Sequence, residues 1–268
     1  MSEISILIRT FNSARTLEKV ISRLDRLEGD EIILVDSGST DRTLRIGERL
    51  GARIVRAEGK FNYSKSLNLG FHAARHPWVL TLSSHAVPVV PNFLELFRRA
   101  MRELPADVMV AYAPCTLDGR GLYADDTVRV YTRETYGVVN HLCGNGNALY
   151  RRAAWELVPF DETIRTGEDK LWLRTIFARG YRIALASGPR ALNINHYSLR
   201  YMFMKGYSDY RSEAHQPMSI LHLFLGLARL TKKFIKAGGR MPVGNWIRWS
   251  AHHVGCFFGS YQEQDNRP

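Results

Sequence analysis

The sequence predicts an α/β fold: a mainly parallel sheet with helices on both faces. Two patterns lead there. Short, mainly apolar runs of the kind buried in a parallel sheet recur four times between residues 4 and 104. Each is followed by apolar residues at helical spacing. The chain has 268 residues, 45% of them hydrophobic. That is enough for one large domain or two small ones with a substantial core.

Ile4 to Ile8 reads as the first strand, and Leu17, Val20, Ile21, Leu24 and Leu27 then mark one face of a helix. Ile32 to Val35 is a second strand, Thr40 to Leu50 a helix capped by Ser39 or Thr40, and Arg53 to Val55 opens a third strand. Asn62 to Arg75 has helical character, and Trp78 to Leu82 is a fourth strand. Pro91 suits the first turn of a helix running to Leu104. In such sheets ligands sit beyond the carboxyl ends of the strands, so the loops Arg9 to Ser13, Asp36 to Thr40 and Ser83 to Pro88 are the places to search.

The second half changes character. Asp107 to Thr116 reads as a strand, residues 118 to 147 are rich in Gly, Asp and Asn, and Glu168 to Tyr181 is a helix opening on two acids. From Ser198 the chain turns aromatic, basic and helical, with a break at Gly238-Gly239 and a Trp-Ile-Arg-Trp segment at 246 to 249. The expected organisation is a domain over 1–199, with halves 1–105 and 106–199, followed by a basic, aromatic helical extension over 200–268.

Cys115, Cys143 and Cys256 are odd in number and never in Cys-x-x-Cys spacing, which argues against a disulfide framework and against a cysteine zinc site. The N-terminus carries an acid at position 3 and no small-residue cleavage site, unlike a secretory signal. Ile220 to Leu230 is broken by His222 and Arg229 and is shorter than the ~20 residues that cross a bilayer. A cytoplasmic location is expected. The net charge is +11, of which residues 200–268 contribute +6. Such charge attracts nucleic acid, anionic lipid or phosphorylated small molecules alike. No nucleic-acid recognition motif or clustered basic element accompanies it, so nucleic acid is not an expected partner.

EIILVDSGSTDRT, residues 31–43, runs a buried strand into an acid, a Ser/Gly turn and a helix cap. Asp36 can accept from ribose hydroxyls or a base N–H, and Gly38 lets a ligand approach the backbone. Asp36 and Asp41 serve equally well to cap the turn and the helix.

Five segments, SILIRTFNSARTLEKVISRL, EIILVDSGSTDRT, NYSKSLNLGFHAA, WVLTLSSHAVP and GEDKLWLR, occur in the order seen in family-two glycosyltransferases of the GT-A fold. Over roughly residues 4–200 the chain resembles that family, in particular its bacterial cell-envelope glycan type. The resemblance implies transfer of a sugar from a nucleotide-diphosphate donor, UDP- or dTDP-linked, with inversion at the anomeric carbon. The acceptor is a glycan or a lipid-linked glycan. Thr10, Asn12 and Asp36 resemble the nucleoside-contacting residues, and Lys65 and Asn68 lie where family members hold base or phosphate. Lysine offers a mobile point charge there, and asparagine both a donor and an acceptor. Arg9 replaces the usual proline.

The family normally places an Asp-x-Asp motif after the fourth strand to hold Mn2+ or Mg2+ against the donor diphosphate. This chain has Ser83, Ser84 and His85 instead, Ser84 and His85 standing on the donor side. An imidazole ligates Mn2+ but suits Mg2+ poorly. His196 in NINHYSL is the second candidate ligand, forming a pair with His85. Metal-independent action stays open, with Lys65, Arg200 or another basic residue neutralising the leaving diphosphate.

Glu168 and Asp169 fall in the first turn of a helix, where the macrodipole stabilises anions. The resemblance implies that Asp169 is the general base, with Glu168 beside it. An inverting displacement needs one carboxylate near the acceptor hydroxyl. In CGNGN, residues 143–147, Gly144 and Asn145 are expected to border the acceptor, with Trp172 as a sugar-stacking candidate. Core packing is the competing role for Trp172 and Trp155. Asp125-Asp126 reads as solvated surface. The tail combines Ile220, Leu221, Leu223, Phe224, Leu225 and Leu227 with Lys232, Lys233 and Lys236, then Trp246 and Trp249. That pattern suits either an anionic membrane surface, placing the protein peripherally on the inner face of the cytoplasmic membrane, or packing on protein. The alternative to the enzyme is a catalytically silent GT-A domain that binds nucleotide sugar or glycan.

Overall fold

The computed structural model describes residues 3–59, 61–116, 118–119, 125–139, 143–164, 167–194, 203, 220–236, 247, 249–254 and 256. The chain forms two compact units, Met1–Ile194 and Asn195–Pro268.

The first unit opens with β1 (Ser5–Thr10), α1 (Leu17–Ile21), β2 (Glu31–Asp36), α2 (Thr43–Arg49), β3 (Ala52–Arg56), α3 (Tyr63–Ala73), β4 (Trp78–Ser83), β5 (Ala86–Pro88) and α4 (Phe93–Glu103). It continues with β6 (Val108–Tyr112), β7 (Cys115–Thr116), β8 (Val128–Tyr131), β9 (Asn147–Arg151), α5 (Arg152–Leu157), α6 (Glu168–Ala178), β10 (Arg182–Ala186) and β11 (Ala191–Asn193). The main sheet has eight strands in the order β3-β2-β1-β4-β9-β6-β10-β8, and a small sheet has the order β5-β11-β7. In the main sheet β3, β2, β1 and β4 run parallel, as do β6 and β10, while β9 and β8 run antiparallel to their neighbours.

Strands β1, β2 and β4 are buried on both faces, while β3, at the sheet edge, is only partly buried. Ile4, Ile6 and Ile8 pack with Leu17, Val20 and Ile21 of α1 and with Phe93 and Phe97 of α4. Leu7, Ile33 and Val35 point the other way, onto Leu67 and Phe71 of α3 and Trp172 of α6. Alternation of side chains along each strand thus feeds two cores, one per face. The start of β1 is closed by a buried ion pair, Arg98 with Asp30, whose carboxylate also accepts from Ile4 N at 2.9 Å and Leu27 N at 2.8 Å.

Several boundaries differ from expectation. The strand predicted over Asp107–Thr116 is two strands, β6 and β7, in separate sheets, because the chain leaves the ladder at Ala113-Pro114. Helix α2 begins at Thr43 rather than Thr40, and the Asp41 carboxylate ahead of it accepts from the otherwise orphan Thr43 N–H at 2.9 Å. Strand β9 lies at the end of a Gly- and Asn-rich stretch with no strand pattern and is created by its two antiparallel neighbours. At α4 the orphan N–H groups of Leu94 and Glu95 donate to the distant Asp25 carboxylate, at 2.6 and 3.1 Å, in place of a local cap.

In the second unit α7 (Ile220–Lys236) is helical, as are positions 247, 249–254 and 256. Gly226 abuts the His253 ring: a Cβ there would sit 1.7 Å from Nε2. Among the described residues no helix is long and apolar enough to cross a membrane.

Helix α3 lies close on the sheet because Gly70 faces Leu7: an added Cβ would fall 2.1 Å from Leu7 Cδ1. Gly70→Ala gains helix propensity but overpacks a fully buried leucine, so a net loss of about 1–2 kcal/mol in urea denaturation is expected. Unchanged stability would mean that α3 can move away from β1.

Candidate active site

Strand β1 lies between β2 and β4, with Thr10 opposite Asp36 and Arg9 opposite Ser83. The loops after these three strands therefore meet at one edge, where backbone groups leave the ladder and need other partners. Side chains supply them. Asn12 adopts φ +47°, a left-handed conformation that asparagine tolerates, and its backbone N donates to Ser39 Oγ at 2.9 Å. The Asp36 carboxylate, buried at the end of β2, accepts from Gly38 N and Ser39 N, both at 3.0 Å, and from the Ser39 hydroxyl. Asp41 accepts from Ala14 N and from Thr43, the Thr43 hydroxyl accepts from Ser13 N at 2.7 Å, and Ser13 Oγ lies 2.9 Å from Ser84 Oγ. One polar chain thus ties the first, second and fourth strand ends together. Thr10 is buried beside it, its hydroxyl without a hydrogen bond.

The opposite wall is the start of α6. Gly167 sits at its N-cap with φ +80°, and Glu168 and Asp169 follow in the first turn. Glu168 is buried and accepts from Asn145 Nδ2 at 3.2 Å, and Asn145 Oδ1 accepts from the Tyr150 hydroxyl at 2.6 Å. Asp169 is half-buried, and its Oδ2 would stand 3.3 Å from a Cβ built on Gly144, so the glycine at 144 leaves room beside this carboxylate. Burial and the nearby Asp169 charge push the Cys143 thiol up to about 12, so it stays protonated.

Arg9 bridges the two walls. Its Nη1 lies 3.6 Å from Glu168 Oε1 and its guanidinium 5.2 Å from the centre of the Tyr63 ring, at the first residue of α3. Burial, helped by the Arg9 charge, pushes the half-buried His85 down to about 4, so the imidazole is neutral near pH 7.

The structure brings together Thr10, Asn12, Asp36, Ser84, His85, Gly144, Asn145, Glu168 and Asp169. It uses others differently. Asn68 is spent on architecture: Nδ2 donates to Phe160 O and Glu162 Oε1, and Oδ1 accepts from Trp155 Nε1 and Phe160 N, at 2.8–3.1 Å. Trp172 is 2% exposed, packs against Tyr150 and Phe160 and donates to Val158 O, which makes it a core residue and not a sugar platform. Lys65 Nζ donates to Glu58 O at 2.9 Å. His196 and Arg200 lie outside the described residues. The contribution of Arg9 and Tyr63 was not foreseen. The sequence marks Arg9 in two ways, as an arginine within the strand SILIRT and as a departure from the family's usual proline.

The residues at the end of β4 do not fit a divalent cation. Ser83, Ser84 and His85 offer no carboxylate, the Ser84 hydroxyl is engaged with Ser13, and the Arg9 charge acts on His85. Among the described residues no three His, Cys, Asp or Glu side chains converge. Mn2+ and Mg2+ sites are built on such oxygen donors.

A parallel β3-β2-β1-β4 half joined to an acid-bearing helix start has the architecture of the GT-A fold, and comparison with known proteins agrees. The profile described as glycosyl transferase family 2 matches residues 5–182, and the chain belongs to that family. An uncharacterised glycosyltransferase from Rickettsia bellii is 33% identical over 82 residues, 31% of this chain and 27% of that protein. A mannosyltransferase from Pyrobaculum calidifontis, solved with GDP-Man and Mn2+, superposes with TM-score 0.65 at 14% identity, over 98% of this chain and 88% of that one. The glucosyl-3-phosphoglycerate synthase of Mycobacterium tuberculosis, solved with Mn2+, UDP and glucosyl-3-phosphoglycerate, gives a TM-score of 0.57 at 20% identity over 73% of each chain. At such identities the two structures attest the fold.

Two consequences are measurable. Asn68→Ala removes four internal hydrogen bonds, so a loss of about 2–4 kcal/mol in chemical denaturation is expected, larger than any change in nucleotide affinity. His85 titrates near 6.5 when unfolded and about 4 when folded. Over that window the unfolded chain binds the extra proton, so its contribution is complete above pH 6.5 and is lost as the pH falls to 4. The loss is on the order of 3 kcal/mol. His85→Asn is expected to flatten that part of the stability profile; an identical profile would contradict the assignment.

Proposed function

We propose that this chain is an inverting transferase that moves a sugar from a UDP- or dTDP-linked donor to a hydroxyl of a glycan or lipid-linked acceptor. The observation that carries the reading is the position of Asp169, in the first turn of α6, beside Gly144 and across from the converging ends of β1, β2 and β4. Residues 1–105 then bind the nucleotide, with Thr10, Asn12 and Asp36 at the nucleoside, and residues 106–199 receive the acceptor, with Gly144 and Asn145 at its border.

Asp169 takes the proton of the acceptor hydroxyl as that oxygen bonds to the anomeric carbon. The bond from that carbon to the diphosphate oxygen breaks, and its electron pair leaves with the nucleoside diphosphate. Attack from the face opposite the leaving group inverts the centre. Glu168, bonded to Asn145 and facing Arg9, positions this end of α6 and does not need to exchange protons.

The exposed face of α7 supports a lipid-linked acceptor and a peripheral place on the inner face of the cytoplasmic membrane. Phe224, Leu225 and Ile235 are exposed there among Arg229 and Lys232, the pairing that anionic lipid surfaces attract. The departure from Asp-x-Asp favours a second reading, a silent domain that binds nucleotide sugar without turnover. Nucleotide release from donor with and without acceptor separates the two.

Asp169→Asn is expected to keep donor affinity and lower turnover by roughly 10²- to 10⁴-fold. Wild-type turnover in that variant would remove Asp169 as the base.

A further inference from the structure

We propose that Arg9 is the cation that grips the donor diphosphate, in the place that an acid-bound metal fills in the family this chain resembles. The inference rests on the nucleotide-sugar reading above and deepens it.

Arg9 stands beside Ser83 in the β1–β4 ladder, so it emerges at the strand end where a metal would otherwise meet the diphosphate. Its side chain is 17% exposed, enclosed yet open to a ligand. Nη1 is buried and donates no hydrogen bond, because Glu168 Oε1, at 3.6 Å, pairs with its charge but is too far to accept from it. A buried N–H left this way is costly, and a phosphate oxygen would satisfy it with a charge-assisted bond. The Tyr63 ring, 5.2 Å away, and Glu168 hold the guanidinium from two sides, which fixes the planar fork that suits phosphate. The Thr10 hydroxyl, buried and also without a hydrogen bond, is its neighbour in the chain.

Lys65, the other cation expected on the donor side, is committed elsewhere and donates to Glu58 O. A metal at the same place would meet Ser83, Ser84 and His85, without a carboxylate, and would face the Arg9 charge. The donor set and the arginine point the same way. As the sugar leaves, negative charge grows on the diphosphate, and a fixed guanidinium stabilises it without reorganising.

The test is isothermal titration of the full chain with UDP, dTDP and GDP, each in EDTA and then in Mn2+. For the nucleotide that binds, its parent nucleoside is titrated alongside, against wild type, Arg9→Met and Arg9→Lys. The expected result is one nucleoside diphosphate bound equally well in EDTA and Mn2+. Arg9→Met should weaken it about 10- to 100-fold while nucleoside affinity stays within about twofold. Arg9→Lys should keep the charge, lose the fork and fall between. Binding that appears only with Mn2+, or Arg9→Met binding like wild type, overturns the role of Arg9 and leaves the transferase reading standing. Binding of no nucleotide in either condition overturns that reading and this one with it. If Arg9→Met loses its cooperative thermal melt, the EDTA comparison and Arg9→Lys decide.

Discussion

The constraint on which this molecule turns is the placement of β1 between β2 and β4, all three running the same way. Parallel neighbours bring three loops to one edge, and each loop carries backbone groups that have lost their ladder partners. The answer is a set of short polar side chains. Asn12 spans the first two loops, Asp36 closes its own turn, and Asp41, Thr43, Ser13 and Ser84 relay from the second loop to the fourth strand. Residues that a motif-based reading assigns to the nucleotide are therefore the residues that hold these loops together. A ligand at this edge meets a surface already organised by hydrogen bonds.

The second face of the sheet sets the other half of the site. Phe71, Tyr150, Trp155, Phe160 and Trp172 form a continuous aromatic packing. Asn68 stitches α3 to this layer through Trp155 and Phe160. Tyr150 reaches out of it to Asn145, and Asn145 to Glu168, so the start of α6 is tied to the core by two hydrogen bonds. The carboxylate of Asp169 inherits its position from that packing. Such support fixes the orientation of a side chain more closely than a loop would.

Electrostatics complete the picture. The buried Glu168 faces Arg9, and the half-buried Asp169 follows it in the first turn of α6. His85 is kept neutral by burial and by Arg9. Where the resembled family gathers carboxylates to hold a cation, this chain places a cation of its own and removes the carboxylates. The two changes are consistent with each other, since an arginine and a divalent ion at one strand end would repel.

The sequence by itself determined the alternation of buried strands and helices, hence the parallel half and the edge at which to look. Periodicity is local, and it survives any tertiary arrangement. It also marked Glu168-Asp169 as a helix start, because acids in a first turn are favoured wherever that helix goes. Tertiary structure decided the rest. Strand β9 has no strand pattern and exists through its neighbours β4 and β6. Asn68 and Trp172 have the chemistry of ligand contacts, and only packing shows that their polar atoms are spent inside. Arg9 was visible as an arginine in a mostly apolar strand, at a position where the family usually has proline. Its meaning depends on Tyr63 and Glu168, which lie 54 and 159 positions away and reach it only when the sheet has formed.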